Sequence, residues 1–172
     1  GLGLTGLANT GNSCYMNSCM QILSHTYELN DMFKKKQYQK RLNRIADSAL
    51  LLEWDKLREM MWSSNCTIAP WGFVKAVQKV STLKNIELFS GHAQNDIQEY
   101  LLFVIDCFHN ALAREVDMEV SGIVKNGTDK LAQTCYSMMK TMYGKEYSEM
   151  LNIFYGIHVS EITSMTTEES LS

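Results

Sequence analysis

The chain has 172 residues, 45% hydrophobic and 20% charged with a single proline, which is enough to bury a substantial core in one domain or part of one and argues against extensive disorder. A formal net charge of -3 gives no overall basic field, so no nucleic-acid partner is expected, and with neither a bilayer-length apolar run nor a signal-peptide pattern no membrane partner is expected either. Five scattered cysteines, odd in number, do not form a secreted disulfide framework and point to a reducing compartment, cytoplasmic or nuclear. A chain opening on Gly1 rather than methionine is expected to be an excised or processed piece.

In chain order, the first informative stretch is Gly6 to Ser18. Two glycines and two asparagines between Gly6 and Asn12 favour turns and positive φ. From Cys14 a helix is expected, with Tyr15, Cys19, Ile22, Leu23 and Thr26 on one face. A cysteine at the start of a helix meets unpaired N–H groups and the positive dipole end, which favour thiolate, the nucleophilic form.

Phe33 to Arg44 carries Lys34, Lys35, Lys36, Lys40, Arg41 and Arg44, a run expected to be a solvated helix face or loop rather than a specific site for an acidic partner. Leu50, Trp54, Leu57 and Met61 predict an amphipathic helix ending near Ser63-Ser64-Asn65. Pro70 suits the first turn of another, with Phe73, Val77 and Val80 inward. Ile97, Leu101, Val104, Ile105, Phe108 and Leu112 give the strongest helical pattern, opened by a possible capping box of Asp96 and Glu99. A further helix is expected from Thr128 or Asp129, either of which can cap it, to Gly144, with its methionines filling core gaps. Ile153, Phe154, Tyr155, Val159 and Ile162 then give 151–163 a β-favouring composition, and 166–172 is a short polar tail.

Two of these stretches carry a resemblance. Gly6-Leu7-x-Asn9-x-Gly11-Asn12-Ser13-Cys14-Tyr15-Met16-Asn17-Ser18 resembles the cysteine box of the ubiquitin-specific proteases, peptidase family C19, with Thr10 and Ser13 as mild departures. Gln94, Asp96, Gln98, Glu99 and Leu101 match the family's second motif, Gln-Gln-Asp-Ala-Gln-Glu-Phe-Leu, while Asn95, Ile97 and Tyr100 are replacements of related character. Phe154-x-Gly156-x-x-x-Ser160-x-Ile162 looks like the segment where these enzymes pass from thumb to palm and fingers.

The resemblance implies a mainly α chain, the helical thumb subdomain (1–150) of a papain-like α+β cysteine protease, with a short β segment near the C-terminus starting the palm and fingers (151–165). It implies a thiol-dependent deubiquitinase that hydrolyses peptide and isopeptide bonds at the C-terminal glycine of ubiquitin, with ubiquitin or ubiquitinated proteins as partners. Cys14 would be the nucleophile, Asn9 would contribute its amide to the oxyanion hole, and Gln94, Asp96 and Glu99 would bind the substrate, the acids holding its arginine-bearing tail.

The family's general base is a histidine in a Gly-His box far downstream, followed by an Asp or Asn. The histidines here are His25, His92, His109 and His158, none in such a box; His92, in the loop before Gln94, is the first to test against Cys14. The sequence is therefore expected to hold about the first half of a catalytic domain, with the C-terminal half as a partner and little turnover alone. Many family members continue with a Cys-x-x-Cys half-site for zinc, where this chain has Ser164 and Thr167, so neither metal nor other cofactor is expected. A non-catalytic ubiquitin or ubiquitin-like binding module is the alternative function.

Overall fold

The computed structural model describes residues 2–160. In chain order it runs β1 (Gly6–Leu7), α1 (Cys14–Ser24), α2 (Tyr27–Lys34), a 3-10 turn (Gln37–Arg41), α3 (Ala46–Ser63), β2 (Thr67–Ile68), α4 (Trp71–Leu83), a second 3-10 turn (Glu87–Phe89), α5 (Ile97–Leu112), α6 (Gly127–Tyr143) and α7 (Glu149–Phe154). The molecule is mainly helical, as expected.

The core is built where the apolar period is strongest. Leu50, Trp54, Leu57 and Met61 of α3 are all buried, and so are Phe73, Val77 and Val80 of α4 and Val104, Phe108 and Leu112 of α5. α3 packs against both α4 and α5, and α1 lies on α5. Trp54 joins the layers, with ring centroids 6.1 Å from Phe73 and 6.2 Å from Phe108, separations at which aromatic pairs attract beyond their area burial.

β1 and β2 pair in parallel, Gly6 opposite Thr67 and Leu7 opposite Ile68. Gly6 N donates to Cys66 O at 2.8 Å and Ala8 N to Ile68 O at 2.9 Å, fixing the chain just before the Asn9 to Ser13 loop. Gly6 has a packing reason: a Cβ there would come 3.3 Å from Thr67 Oγ1.

Several expectations are corrected. In α1 the buried face is Tyr15, Met16, Cys19, Met20 and Leu23, rotated toward the two methionines; Ile22 falls at its edge and is 57% exposed, and Thr26 lies beyond the helix end. The basic run is solvated as expected, Lys34, Lys35, Lys40, Arg41 and Arg44 being exposed where α2 ends and the first 3-10 turn forms, while Lys36, just before that turn, is half-buried and pairs with Asp55. α6 forms where expected, capped by Asn126 rather than Thr128 or Asp129, but buries no residue: among the described residues Met138 and Met142 are exposed. The expected strand over 151–163 is instead helix to Phe154, followed by irregular chain from Tyr155 to Ser160; Ile162 and Thr163 lie outside the described residues. The cause is local. Ser148 Oγ caps the Met150 N–H, and Met150 and Leu151 are adjacent in sequence yet both buried, as a helix against α5 permits and an alternating strand does not.

Candidate active site

Cys14 is the first residue of α1 and is exposed. The turn before it needs left-handed backbone, with Gly11 at φ +101° and Asn12 at φ +49°, conformations that glycine adopts freely and asparagine tolerates. Asn9 fastens the turn from inside: its Oδ1 accepts from Gly11 N at 3.0 Å, Ser13 N at 3.2 Å and Ser13 Oγ at 3.2 Å. Three donors on one oxygen fix which way the amide faces. Its Nδ2 has no hydrogen-bond partner among the described residues.

Ser13 spends its side chain backwards, accepting from Thr10 N at 2.9 Å, so α1 starts with no side-chain cap. The first N–H groups of α1 therefore have no side-chain cap, and the positive end of the helix dipole lies at the thiol. Asn17, one turn on, donates to Leu7 O and Ala8 O at 3.2 and 3.1 Å, tying α1 to the end of β1.

The second motif lies against this helix. Asn95 Nδ2 donates to Tyr15 Oη at 3.2 Å and Cys19 Sγ lies 3.6 Å from Ile97 O. Asp96 caps α5, its Oδ1 accepting from Gln98 N at 2.8 Å and Glu99 N at 3.1 Å. Glu99 does not return the bond, so the expected capping box is half formed; Glu99 and Gln94 are exposed. The structure thus brings the Cys14 helix and the Gln94 to Glu99 segment together.

His25 Nδ1 is placed by Ser24 Oγ and Gln21 O at the end of α1, and His109 Nδ1 lies 2.8 Å from Ser148 Oγ. His92 is set against the cysteine loop: its carbonyl accepts from Asn12 Nδ2 at 3.0 Å, and its Nδ1 lies 3.7 Å from where a Cβ on Gly11 would be. Among the described residues no histidine ring is hydrogen-bonded to Cys14.

Burial separates the cysteines chemically. It pushes the Cys19 thiol up to about 11 and raises Cys107 further, so both are protonated at neutral pH. Burial likewise raises the Tyr15 phenol against the lowering effect of its Asn95 hydrogen bond, leaving a neutral hydroxyl that accepts from the amide. Among the described residues no group of three or more His, Cys, Asp or Glu is placed to hold a metal ion; Ser164 and Thr167 lie outside them. No described helix is long and apolar enough to cross a membrane.

The sequence reading did not assign roles to Asn12, Asn17 and Asn95. The first two were visible as loop and motif letters, but an asparagine amide reaching 80 residues away to His92 leaves no local signal.

Comparison with known proteins supplies the rest. The sequence model of the ubiquitin carboxyl-terminal hydrolase family matches residues 5–169. Ubiquitin carboxyl-terminal hydrolase 2 of Rattus norvegicus is 38% identical over 116 residues, 65% of this chain and 18% of that protein. Ubiquitin carboxyl-terminal hydrolase Usp2 of Drosophila melanogaster is 37% identical over 128 residues, 74% of this chain and 13% of that protein. Ubiquitin carboxyl-terminal hydrolase 4 of Mus musculus is 38% identical over 119 residues, 65% and 12%. The chain spans less than a fifth of the length of these curated relatives. A match across nearly the whole chain, joined to the loop, helix and second motif just described, places this chain in the ubiquitin carboxyl-terminal hydrolase family.

Proposed function

We propose that the chain carries the nucleophile side of a thiol-dependent deubiquitinase active site. The Cys14 thiolate attacks the carbonyl of the C-terminal glycine of ubiquitin and the tetrahedral oxyanion is held by the Asn9 amide; collapse breaks the C–N bond and expels the protonated amine, and water then hydrolyses the thioester, freeing the ubiquitin carboxylate and the Cys14 thiol. The carrying observation is the Asn9 amide itself. Its oxygen is saturated by three donors of the cysteine loop, which leaves Nδ2 as a fixed, unspent donor on the same turn as an exposed Cys14.

Gln94, Asp96 and Glu99 bind the tail of ubiquitin in this reading. Asp96 uses one carboxylate oxygen for its cap bonds, so the other remains for a cation, and the Glu99 carboxylate is free in solvent. In this reading the general base comes from polypeptide outside this chain, supported by the engagement of the His25 and His109 rings elsewhere; the His92 ring, beside the cysteine loop, is not hydrogen-bonded to Cys14. Acting alone, the chain then has little turnover. The helical region is the thumb of the catalytic domain.

The test is ubiquitin bearing a C-terminal thiol-reactive warhead, mixed with the chain alone and with the chain plus the remainder of its parent polypeptide. Adduct at Cys14, lost in Cys14→Ser and slowed by roughly 10²- to 10³-fold in Asn9→Ala, is the expected result. Saturable ubiquitin binding with no adduct under either condition overturns the catalytic reading and leaves the binding module.

A further inference from the structure

The segment between α4 and α5 is held by side chains where a backbone ladder is missing. From Ser90 to Asp96 the chain has no regular secondary structure. Three of its carbonyls, and that of Leu88 just before it, nevertheless accept from side-chain amides. Gln78 Nε2 donates to Gly91 O at 3.2 Å, Asn12 Nδ2 to His92 O at 3.0 Å, and Asn95 Nδ2 to Leu88 O at 2.8 Å and Ala93 O at 3.1 Å.

Asn95 does one thing more. The same Nδ2 reaches Tyr15 Oη at 3.2 Å, so a group with two hydrogens serves three acceptors at the centre of the segment. Tyr15 directly follows Cys14 and is buried. Its ring meets Tyr100 of α5 edge to face at 5.1 Å, and Tyr100 meets Phe89 at 5.4 Å. Asn95 thus sits where the Cys14 helix, the 88–93 segment and the start of α5 converge, and Asp96 is the next residue in the chain.

We propose that Asn95 is a positioning residue: its carboxamide locks the segment bearing Gln94, Asp96 and Glu99 to the helix that begins at Cys14, and so sets the register between substrate tail and nucleophile. This rests on the deubiquitinase reading above. Asn95 touches neither the thiol nor the reacting carbonyl in that reading. Losing its donors therefore weakens tail binding and leaves the intrinsic reactivity of Cys14 alone. Tyr15→Phe cuts the link to α1 but keeps the bonds to Leu88 and Ala93, which separates coupling from simple loop support.

The experiment uses the full chain and two readouts: the Kd for fluorescently labelled ubiquitin, and the rate of Cys14 alkylation by iodoacetamide. Asn95→Ala and the isosteric Asn95→Asp are expected to raise Kd on the order of tenfold, with alkylation within about twofold of the parent chain. Asn95→Gln, which keeps the amide, recovers most of the affinity. Tyr15→Phe gives part of the loss, and adding it to Asn95→Ala gives no more, the non-additivity expected of groups in one contact. The proposal is overturned if Kd stays within about twofold in both Asn95→Asp and Tyr15→Phe, or if alkylation changes in proportion to Kd, which marks general loosening. A parent chain that shows no saturable ubiquitin binding overturns the underlying reading, and this one with it.

Discussion

α5 and α6 have nearly the same length, 16 and 17 residues, similar apolar periodicity and an Asx cap each, Asp96 and Asn126, yet α5 buries eight residues and α6 none. α5 touches α1, α3 and α7, whereas α6 lies beside a cleft of about 430 Å³ lined by Tyr136, Met139 and Tyr143 on its side and Met118, Val120 and Leu151 on the other. Period and caps decide that a segment is helical; how apolar its stripe is and what lies opposite decide whether that stripe becomes core. The two helices should therefore respond to the same kind of substitution very differently.

The largest effect is expected in α5. Phe108 is fully buried between Trp54 and Phe33, so Phe108→Ala should cost about 3–5 kcal/mol in chemical denaturation, from lost transfer energy plus a cavity. A loss below about 1 kcal/mol would mean that the α3–α5 layer is not the structural centre of the molecule.

Next comes the charge cluster that pins the first 3-10 turn to α3 in the same packed unit. Asp55 and Arg58 are buried, Arg58 NH2 lies 2.7 Å from Asp55 Oδ1, and Lys36 and the Tyr38 hydroxyl share the other carboxylate oxygen. Asp55→Ala leaves a buried guanidinium with only its longer 3.9 Å ion pair to Glu59 and should cost about 3 kcal/mol. Burial raises the Asp55 pKa, but the bonds from Lys36, Tyr38 and Arg58 outweigh it and hold the carboxyl below its ordinary range. A group whose folded pKa is depressed stabilises fully above its unfolded value, near about 3.9, and that contribution disappears as pH falls through the lower folded value. Denaturation midpoints measured from pH 6 downward should therefore fall more steeply for the parent chain than for Asp55→Asn.

How much could be read in advance follows the same division. α3, α4 and α5 were legible because their apolar stripes are long and their neighbours are each other. The burial of α6 was not, because Leu131, Met138 and Met142 spell the same pattern whether or not anything covers them; they are 47%, 59% and 63% exposed. The short run Met150 to Phe154 reads equally as strand or helix, and only the Ser148 cap and the absence of a pairing strand among the described residues decide it. At the proposed site, the loop from Asn9 to Cys14 was legible as a dense local motif, while the link from Asn95 to Tyr15 and that from Asn12 to His92 were not, since each spans 80 residues of sequence. The β1–β2 pairing, two residues on each side and 61 apart, left no pattern to find.

A smaller effect of opposite sign tests the one polar flaw in the α5 stripe. Tyr100 is fully buried, and its hydroxyl has no hydrogen-bond partner; the second motif of the family has phenylalanine at this position. An unpaired buried hydroxyl costs free energy in the folded state that phenylalanine, of the same shape, does not incur. Tyr100→Phe should stabilise the chain by about 1 kcal/mol, read as a rise in denaturation midpoint at constant m-value. Destabilisation instead would mean that the hydroxyl is satisfied, by water or by movement of Tyr15.

The smallest effect is predicted in α6, whose apolar residues repeat with a helical period like those of α5 but are fewer and weaker. Met138 is exposed, so truncating it removes little buried area, and alanine has the higher intrinsic helix propensity. Met138→Ala should change global stability by less than about 0.5 kcal/mol. Hydrogen exchange extends the comparison to the backbone: amides in the middle of α5 open only with global unfolding, whereas those of α6 open locally, because no buried side chain ties that helix to the core. Equal protection in the two helices, or a loss above about 1 kcal/mol in Met138→Ala, would require that something covers the outer face of α6 in solution.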